Sequence, residues 1–599
     1  MQQYTSPGEV AVGDDANLTQ SVFQTADAYP NRPALSRRVG SVFQDTSAKQ
    51  FADEITAVAA GLIAMGVAKG DRVCLFASTR YEWTLLDYAI WAAGAVTVPI
   101  YETSAADQVE WIVSNSEAVA IFCENDKLKG VFDSVAGQLP GCKHVFVIDD
   151  GAVQKVSNEA GDIGAEQVRE RAASVVANDV ATIVYTSGTT GRPKGCVITH
   201  RSFVWDAAQV ASAAGEFFRP GSSTLLFLPL AHIFARVIQV GCVQAGVRLG
   251  FSTGIPHLME ELGIFRPDFI LAVPRVFEKV YNGAKQKSHD AGKGKIFDAA
   301  AATAIEWSQK KVTGKVDFVT NAKHAVFDKL VYGKLRAAMG GNVQYAVSGG
   351  AALGERLGHF YNGIGVLILE GYGLTETTAG ACINTPTNFK IGSVGLPVPG
   401  GTVGIADDGE ILLRGAHVFE GYYKNPEATA EAIDADGWFH TGDLGKLDAE
   451  HYLYITGRKK EILVTAGGKN VAPAVLEDRL RAHPLVSQAM VVGDGQPFIA
   501  ALVTIDAEAF PAWAERTGLA GKSVADLVED AALKAEVQSA IDDANGAVSK
   551  AESIRTFRIL PVDFEVGDEL SQKQSVKRHV VGTKYAAVID DIYKDVKRV

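Results

Sequence analysis

The chain has 599 residues, which is more than one hydrophobic core usually organises, so we expect a large multi-layer domain and at least one further domain. Hydrophobic residues make up 47% and charged residues 21% of the sequence, a composition typical of a soluble globular enzyme that argues against disorder. The net charge of -13 argues against a nucleic-acid partner, because phosphate binding needs clustered Lys and Arg.

The first part of the chain alternates predicted helices and strands. Apolar residues in 51–62 recur on one helical face, and the short apolar runs RVCLFA (72–77), VTVPIY (96–101) and AVAIFCE (118–124) follow with helical segments between them. This βαβ pattern predicts a largely parallel sheet. The longest apolar tract, 85–101, contains Asp87 and ends in strand-like residues, so it is too short and too interrupted to span a bilayer.

The N-terminal residues and the cysteines predict the cellular compartment. The first thirty residues contain no basic stretch followed by an apolar one, so we expect no signal peptide. The six cysteines are scattered without CxxC pairs, which fits a reducing cytosol. We therefore expect a cytoplasmic protein, and peripheral contact with a membrane stays open.

Two changes of pattern suggest further organisation. Residues 280–340 are rich in Lys and Ala and interrupt the βαβ pattern, which predicts inserted surface helices. After Gly457 a new set begins with KEILV, a helix near 473–482, QAMVV and FIAALVTI, which indicates a small α+β domain. The sequence thus predicts a large domain at 1–456 and a small one at 457–599.

The segment YTSGTTGRPKG, residues 185–195, follows a predicted strand and has the composition of a phosphate-binding loop. Glycines, Gly195 among them, let backbone N–H groups face an anion, while hydroxyls and a lysine add donors and charge. It is not a Walker A loop, because Pro193 precedes the lysine and Gly195 follows it, so a P-loop kinase or GTPase is disfavoured. The predicted phosphate contacts are Thr186, Ser187, Gly188, Thr189, Thr190, Gly191 and Lys194.

This loop resembles the phosphate loop of the adenylate-forming superfamily, which includes acyl-CoA synthetases, luciferases and peptide-synthetase adenylation domains. Further segments resemble the other motifs of that superfamily in the same order, namely LPLAHIFAR (228–236), SGGA (348–351), EGYGLTET (370–377), WFHTGDLG (438–445) and GRKKEILVTAGGKNVAP (457–473). The resemblance covers nearly the whole chain. It implies an α/β adenylate-forming fold, with a large N-terminal domain of βαβ subdomains and a β-barrel-like part, and a small mobile α+β C-terminal domain.

The resemblance also implies roles for individual residues. Tyr372 would stack on adenine, Thr375 would contact phosphate, and the ribose would be bound by Asp443 and Arg458. His232 would lie beside the acyl carboxylate, and Glu376 with Thr186 would hold Mg2+, a role that suits a carboxylate and a hard cation. The remaining implied nucleotide contacts are Gly349, Gly350, Ala351, Glu370, Gly371 and Gly373.

One segment departs from the superfamily pattern. The terminal motif usually reads like T-P-T-x-K-x-K-R, but this chain reads ELSQKQSVKRHV, which places Ser575 where the adenylation lysine is expected. Lys573, two residues earlier, is our candidate for the adenylation lysine. A solvated surface lysine is the alternative at that position. His232 and Lys194 are the other two candidate catalytic residues.

Four features resemble the long-chain branch of the superfamily, namely VPRVFEKVYN (273–282), the insertion after it, DGWFHTGDLG (436–445) and GGKNVAPAVLE (467–477). The implied function is AMP-forming ligation of a long-chain fatty acid to CoA, with ATP, Mg2+ and CoA as the small molecules required. Two alternatives stay open: a fatty acyl-AMP ligase that loads a carrier protein, and a nucleotide- and acyl-binding regulator without turnover.

Overall fold

The structure is a computed structural model that describes residues 1–186, 192–571 and 575–594. The chain divides into two compact units. The N-terminal unit comprises Met1–Ala406, Leu412–Thr441 and Leu447–Tyr454, and the C-terminal unit comprises Asp407–Ile411, Gly442–Lys446 and Ile455–Val599.

The largest sheet of the N-terminal unit has seven strands. In spatial order they are Gly421–Tyr422, Lys194–Thr199, Val180–Thr186, Val96–Ile100, Arg72–Phe76, Ala118–Cys123 and His144–Val147. The last five strands of this order are parallel to one another, and the first two are joined to them by antiparallel pairing. The predicted largely parallel sheet is therefore confirmed.

Helices pack around this sheet. They are Gln20–Ala28, Ala48–Ala64, Tyr81–Ala92, Ala106–Ser116, Asp126–Asp133, Ala152–Asn158, Ala165–Ala173 and His200–Ala213. The helix predicted at 51–62 begins at Ala48, because Ser47 and Gln50 form a capping box. The helix Tyr81–Ala92 is buried on all sides, which explains its continuous apolar sequence. No helix among the described residues is long and apolar enough to cross a membrane.

Two further sheets complete the α/β part. One has the order Ser223–Leu226, Arg248–Phe251, Pro33–Val39 and Val42–Ser47. The other has the order Phe269–Ala272, Tyr345–Ser348, Leu367–Tyr372, Cys382–Ile383 and Leu396–Pro397, and its first three strands are parallel. The helices Ile233–Ala245, Leu258–Phe265 and Glu355–Gly363 connect these strands.

The predicted insertion consists of helices. They are Pro274–Asp290, Gly294–Val312 and Phe318–Phe327, followed by the π-helical turn Asp328–Tyr332 and the helix Gly333–Ala338. Gly294–Val312 packs closely on Glu355–Gly363, since a Cβ at Gly363 would lie 2.1 Å from the Ala304 carbonyl oxygen. The insertion is thus anchored to the helix that precedes the strand Leu367–Tyr372.

Short strands follow in the rest of the N-terminal unit. Gln2–Thr5 pairs antiparallel with Thr402–Ile405, and the helix Pro426–Ala432 follows the strand Gly421–Tyr422. The strands Glu410–Arg414, Phe439–Leu447 and Leu453–Arg458 each contain residues of both units.

The C-terminal unit has the predicted α+β composition. Its three-stranded sheet has the order Val486–Val492, Ile499–Ile505 and Ile554–Ile559, and a small hairpin joins Leu463–Val464 to Asn470–Val471. The strand predicted at KEILV starts only at Leu463, because Lys459–Glu461 forms a 3₁₀ turn. The helices are Pro473–Arg481, Phe510–Arg516, Val524–Leu527, Ala531–Asn545, Arg578–Lys584 and Ala586–Tyr593.

Candidate active site

The strands Val180–Thr186 and Lys194–Thr199 form an antiparallel hairpin at the predicted phosphate loop. Thr186 and Lys194 are register partners, so the hairpin brings these two predicted site residues opposite each other. The Trp111 indole N–H donates to the Pro193 carbonyl oxygen at 2.9 Å and fixes the returning strand. The predicted contacts Ser187, Gly188, Thr189, Thr190 and Gly191 lie outside the described residues.

Gly195 has a steric role in this hairpin. A Cβ at this position would lie 2.7 Å from Cγ2 of Ile183 and 3.1 Å from the ring of Tyr185 on the opposite strand. The packing between the two strands therefore requires a glycine at position 195. This steric reason for the glycine differs from the anion contact that we expected.

Tyr422 connects the hairpin to the EGYGLTET segment. Its strand pairs with Lys194–Thr199, its hydroxyl donates to Glu376 Oε1 at 2.8 Å, and its ring centre lies 4.9 Å from Lys194 Nζ. Burial and the neighbouring Glu376 carboxylate raise the pKa of Tyr422, so the phenol stays protonated and can donate. None of the motifs that we analysed contains Tyr422, so sequence reasoning missed it.

Glu376 and Thr186 suit the predicted Mg2+ site. Both side chains are half-buried, and together they offer carboxylate and hydroxyl oxygens, the ligands that Mg2+ prefers. Within the described residues no group of three or more His, Cys, Asp or Glu side chains could hold a metal. A cation here would therefore take several of its ligands from substrate phosphates, which is how Mg2+ usually binds in nucleotide sites.

Two predicted nucleotide segments lie at the carboxyl ends of neighbouring parallel strands. Ser348, which precedes Gly349, Gly350 and Ala351, is the register partner of Glu370. Ligands commonly bind at this edge of parallel sheets. The Glu370 carboxylate is buried and accepts the Leu353 N–H at 3.0 Å, so this side chain holds the turn after Ser348.

The backbone after Tyr372 folds back on itself. A Cβ at Gly373 would lie 1.7 Å from the Ala379 carbonyl oxygen, and the Ala381 N–H donates to the Tyr372 carbonyl at 2.9 Å. Gly371 lies in the preceding strand, and Thr375 is buried in the 3₁₀ turn Thr375–Thr377. This tight return leaves the Tyr372 side chain half-buried at the end of its strand.

His232 caps the helix Ile233–Ala245. Its Nδ1 accepts the Phe234 N–H at 3.1 Å, so the neutral ring carries its proton on Nε2. The Phe234 ring lies against Gly349, where a Cβ would come within 3.3 Å of it. The predicted acyl-site histidine thus belongs to a segment that borders the SGGA turn.

The same helix carries a buried ion pair that the sequence analysis did not single out. Arg236 donates to Asp87 at 2.6 Å and to the Thr182 hydroxyl at 2.6 Å, and both charged side chains are fully buried. Burial raises the pKa of Asp87 and lowers that of Arg236. Three aromatic rings surround the guanidinium, those of Trp83, Trp91 and Phe203. Arg236 thus joins the helix of His232 to the helix Tyr81–Ala92 through Asp87, and to the strand that ends at Thr186 through Thr182.

In the C-terminal unit the two predicted ribose-binding residues are in contact. Asp443 is buried, and its Oδ1 accepts from Arg458 Nε at 3.0 Å. The neighbouring Lys459 donates to Asp408 at 2.6 Å and to Glu410 at 3.1 Å. Arg458 therefore orients the Asp443 carboxylate, and Lys459 has partners of its own.

The terminal lysine segment is described only in part, because Lys573 lies outside the described residues. On either side of it, the Ser571 N–H donates to the Ser575 carbonyl at 2.8 Å. Lys577 Nζ donates to the Gly567 carbonyl at 2.9 Å, and Arg578 donates to Glu477 at 2.6 Å. Both later basic residues are thus engaged within the C-terminal unit.

The sequence profile of a family described as "AMP-binding enzyme" matches residues 22–423, and that of the "AMP-binding enzyme C-terminal domain" matches residues 460–597. The chain belongs to the AMP-binding enzyme family. The predicted membership of the adenylate-forming superfamily is therefore confirmed.

Relatives of this AMP-binding enzyme match it along its whole length. Two proteins named long-chain-fatty-acid–CoA ligase FadD15, from Mycobacterium bovis and Mycobacterium tuberculosis, are each 50% identical over 598 residues, 99% of this chain and 100% of theirs. The crystal structure of the anthranilate CoA ligase AuaEII with anthranoyl-AMP is 19% identical with a TM-score of 0.71, and the match covers 96% of this chain and 99% of that one. The structural likeness confirms the predicted adenylate-forming α/β fold.

Proposed function

We propose that this protein is an AMP-forming long-chain fatty acid–CoA ligase of the cytoplasm, with ATP, CoA and a fatty acid as substrates. The observation that carries the proposal is the 50% identity, along the entire chain, to two mycobacterial proteins that bear this name. The cluster of Lys194, Tyr422 and Glu376 supports it, since a lysine and a carboxylate held together suit a nucleotide polyphosphate and its cation.

In the first half-reaction a fatty acid carboxylate oxygen attacks the α-phosphorus of ATP. The bond from that phosphorus to the bridging oxygen breaks, and diphosphate leaves with the electron pair. Lys194 offsets negative charge on the phosphates. Glu376 and Thr186 would hold Mg2+, which when bound would supply further positive charge beside the phosphate oxygens. Tyr422 holds the Glu376 carboxylate in place through the hydrogen bond from its hydroxyl.

In the second half-reaction the CoA thiol, having lost its proton to solvent, attacks the acyl carbon of the adenylate. AMP leaves with the electron pair of the cleaved carbon–oxygen bond, and a thioester forms. Asp443, oriented by Arg458, is the proposed acceptor for the ribose hydroxyls. We take residues 457–599 as the domain that moves between the two half-reactions, because separate arrangements of a small domain can serve separate chemical steps.

The test is formation of acyl-CoA from palmitate, ATP, Mg2+ and CoA by the purified chain, together with exchange of labelled diphosphate into ATP. The proposal expects both activities. Exchange without acyl-CoA, but with loading of a phosphopantetheine carrier protein, would identify a fatty acyl-AMP ligase. Binding of ATP and palmitate without either product would identify a regulator and would contradict the proposal.

A further inference from the structure

The inserted helices expose an unusual concentration of large apolar side chains. Phe318 is 87% exposed, and Val319, Val326 and Leu330 are between 55% and 59% exposed. We refer to these four side chains as the 318–330 patch. Isolated exposed apolar residues are normal, but a cluster on one short segment is typical of an interaction surface.

The patch forms one face of a helix whose opposite face is anchored. Val319, Val326 and Leu330 recur at helical spacing along Phe318–Phe327 and the following turn. On the inner side Thr320 is buried, and the His324 ring stacks on the Trp307 ring with 4.1 Å between the ring centres. The distance from His324 Nε2 to the Gly363 carbonyl oxygen is 2.6 Å. The inner face therefore provides the packing, and the outer apolar face is left to solvent.

The segment that carries the patch is rich in basic residues. Residues 310–336 contain seven Lys and Arg but only two Asp and Glu, although the whole chain has a net charge of -13. Both acids are paired, Asp317 with Lys310 at 2.5 Å and Asp328 with Arg336 at 2.7 Å. Four exposed lysines form no ion pair with any described residue, namely Lys315, Lys323, Lys329 and Lys334.

We propose that the 318–330 patch docks the protein on the surface of a membrane that contains anionic lipids. An apolar helix face inserts among the acyl chains near the headgroups, and lysines at its edge pair with anionic headgroups. Because the rest of the chain is acidic, an anionic surface repels it and attracts this segment, which sets the orientation of the bound protein. Charge complementarity thus selects a lipid surface as the occupant.

The insertion joins this surface to the sheet of the candidate active site. It lies between the neighbouring strands Phe269–Ala272 and Tyr345–Ser348, the second of which ends at the SGGA turn. Docking at this place would keep the protein beside a reservoir of long-chain amphiphiles. The docking proposal goes beyond the proposed activity, and its test requires no turnover.

The experiment is co-sedimentation of the full chain with vesicles of phosphatidylcholine alone or of phosphatidylcholine mixed with phosphatidylglycerol. We expect binding to the mixed vesicles that weakens as salt rises. The combined substitutions Phe318→Ser, Val326→Ser and Leu330→Ser should weaken vesicle binding at least about tenfold, because the side chains that insert are lost. Vesicle binding should depend less on salt concentration in a variant that combines Lys315→Gln, Lys323→Gln and Lys329→Gln.

The matched control replaces exposed apolar residues elsewhere, with Val42→Ser, Met259→Ser and Val562→Ser combined. This variant should bind vesicles like the unaltered chain, and thermal unfolding should show that all variants are folded. Absence of binding by the unaltered chain, or equal loss in the control, would overturn the proposal. If the patch substitutions instead dissociate an oligomer in sedimentation velocity, the surface is an interface between copies and the lipid proposal is wrong.

Discussion

The Tyr422 hydroxyl lies 2.8 Å from Glu376 Oε1 and joins the strand Gly421–Tyr422 to the turn Thr375–Thr377. A backbone hydrogen bond of 2.8 Å from the Phe419 N–H to the Glu376 carbonyl holds the same two segments together. Since the Tyr422 ring also faces Lys194, one residue positions both the predicted metal carboxylate and the predicted phosphate lysine.

Tyr422→Phe removes this hydroxyl and keeps the ring beside Lys194. A hydrogen bond to a charged group contributes about 1.5–3 kcal/mol, so we expect kcat/KM for diphosphate–ATP exchange to fall at least about tenfold. The Mg2+ concentration that gives half-maximal exchange should rise, while the midpoint of thermal unfolding stays near that of the unaltered chain. The control is Tyr423→Phe, whose hydroxyl interacts with Glu117 instead and should not affect exchange.

Lys573→Ala should abolish diphosphate–ATP exchange while leaving ATP binding measurable. The reason is that Lys577 is already bonded to the Gly567 carbonyl and Arg578 to Glu477, which leaves Lys573 as the candidate from this segment. Lys577→Ala is the matched control and should retain exchange. Loss of exchange in the control alone would show that Lys577 performs the chemistry.

Arg458→Met removes the guanidinium that orients Asp443. We expect the KM for ATP to rise about tenfold or more, because a charge-assisted hydrogen bond of about 1.5–3 kcal/mol is lost from the proposed ribose site. Steady-state kinetics at varied ATP would measure this. Lys459→Met, which affects the neighbouring pairs with Asp408 and Glu410, should leave that KM within about twofold, and an equal rise would contradict the assignment.

Arg236→Met leaves the Asp87 carboxylate buried without its charged partner. Breaking a buried ion pair in this way costs about 3–5 kcal/mol, so the thermal midpoint should fall markedly. Adding Asp87→Asn should recover part of the loss, because the asparagine carries no charge. The control Arg169→Met breaks the exposed pair with Asp27 and should cost at most about 1 kcal/mol.

His417 is expected to make the fold sensitive to acid. Burial beside Trp205 lowers the pKa of His417 from 6.5 to about 4. At pH values between 4 and 6.5 the His417 ring is protonated in the unfolded chain and neutral in the folded chain. The contribution of this residue to the free energy of unfolding is therefore fully present above pH 6.5 and is lost as the pH falls towards 4. The loss from this residue between pH 6.5 and 5 is about 2 kcal/mol.

The measurement compares thermal midpoints at pH 7 and pH 5. His417→Phe retains an aromatic ring but no titrating group, so its midpoint should fall less on acidification than that of the unaltered chain. The exposed His579 provides the control. The midpoint of His579→Phe should fall on acidification as much as that of the unaltered chain. Equal falls for all three proteins would show that His417 is not protonated on unfolding in this range.

The alternation of helix and strand was predictable because it depends on local periodicity. The helix at 51–62, the strand at 72–77 and the α+β composition after Gly457 all follow from spacings within a few residues. The strand expected at KEILV was mostly wrong, since residues 459–461 turn instead and the two strand residues after them pair with Asn470–Val471. The partner with which a strand pairs depends on the tertiary structure and not on the local sequence pattern.

The sequence by itself determined the family, the α/β class and the residue types of the candidate site, because motifs are contiguous and their chemistry belongs to the side chains. Only the tertiary structure placed Tyr422 beside Glu376, Arg236 beside Asp87, and an exposed apolar face among lysines. Tyr422 and Glu376 are 46 residues apart, and Arg236 and Asp87 are 149 apart. Such contacts arise when strands pair and helices pack, so no local pattern of residues records them.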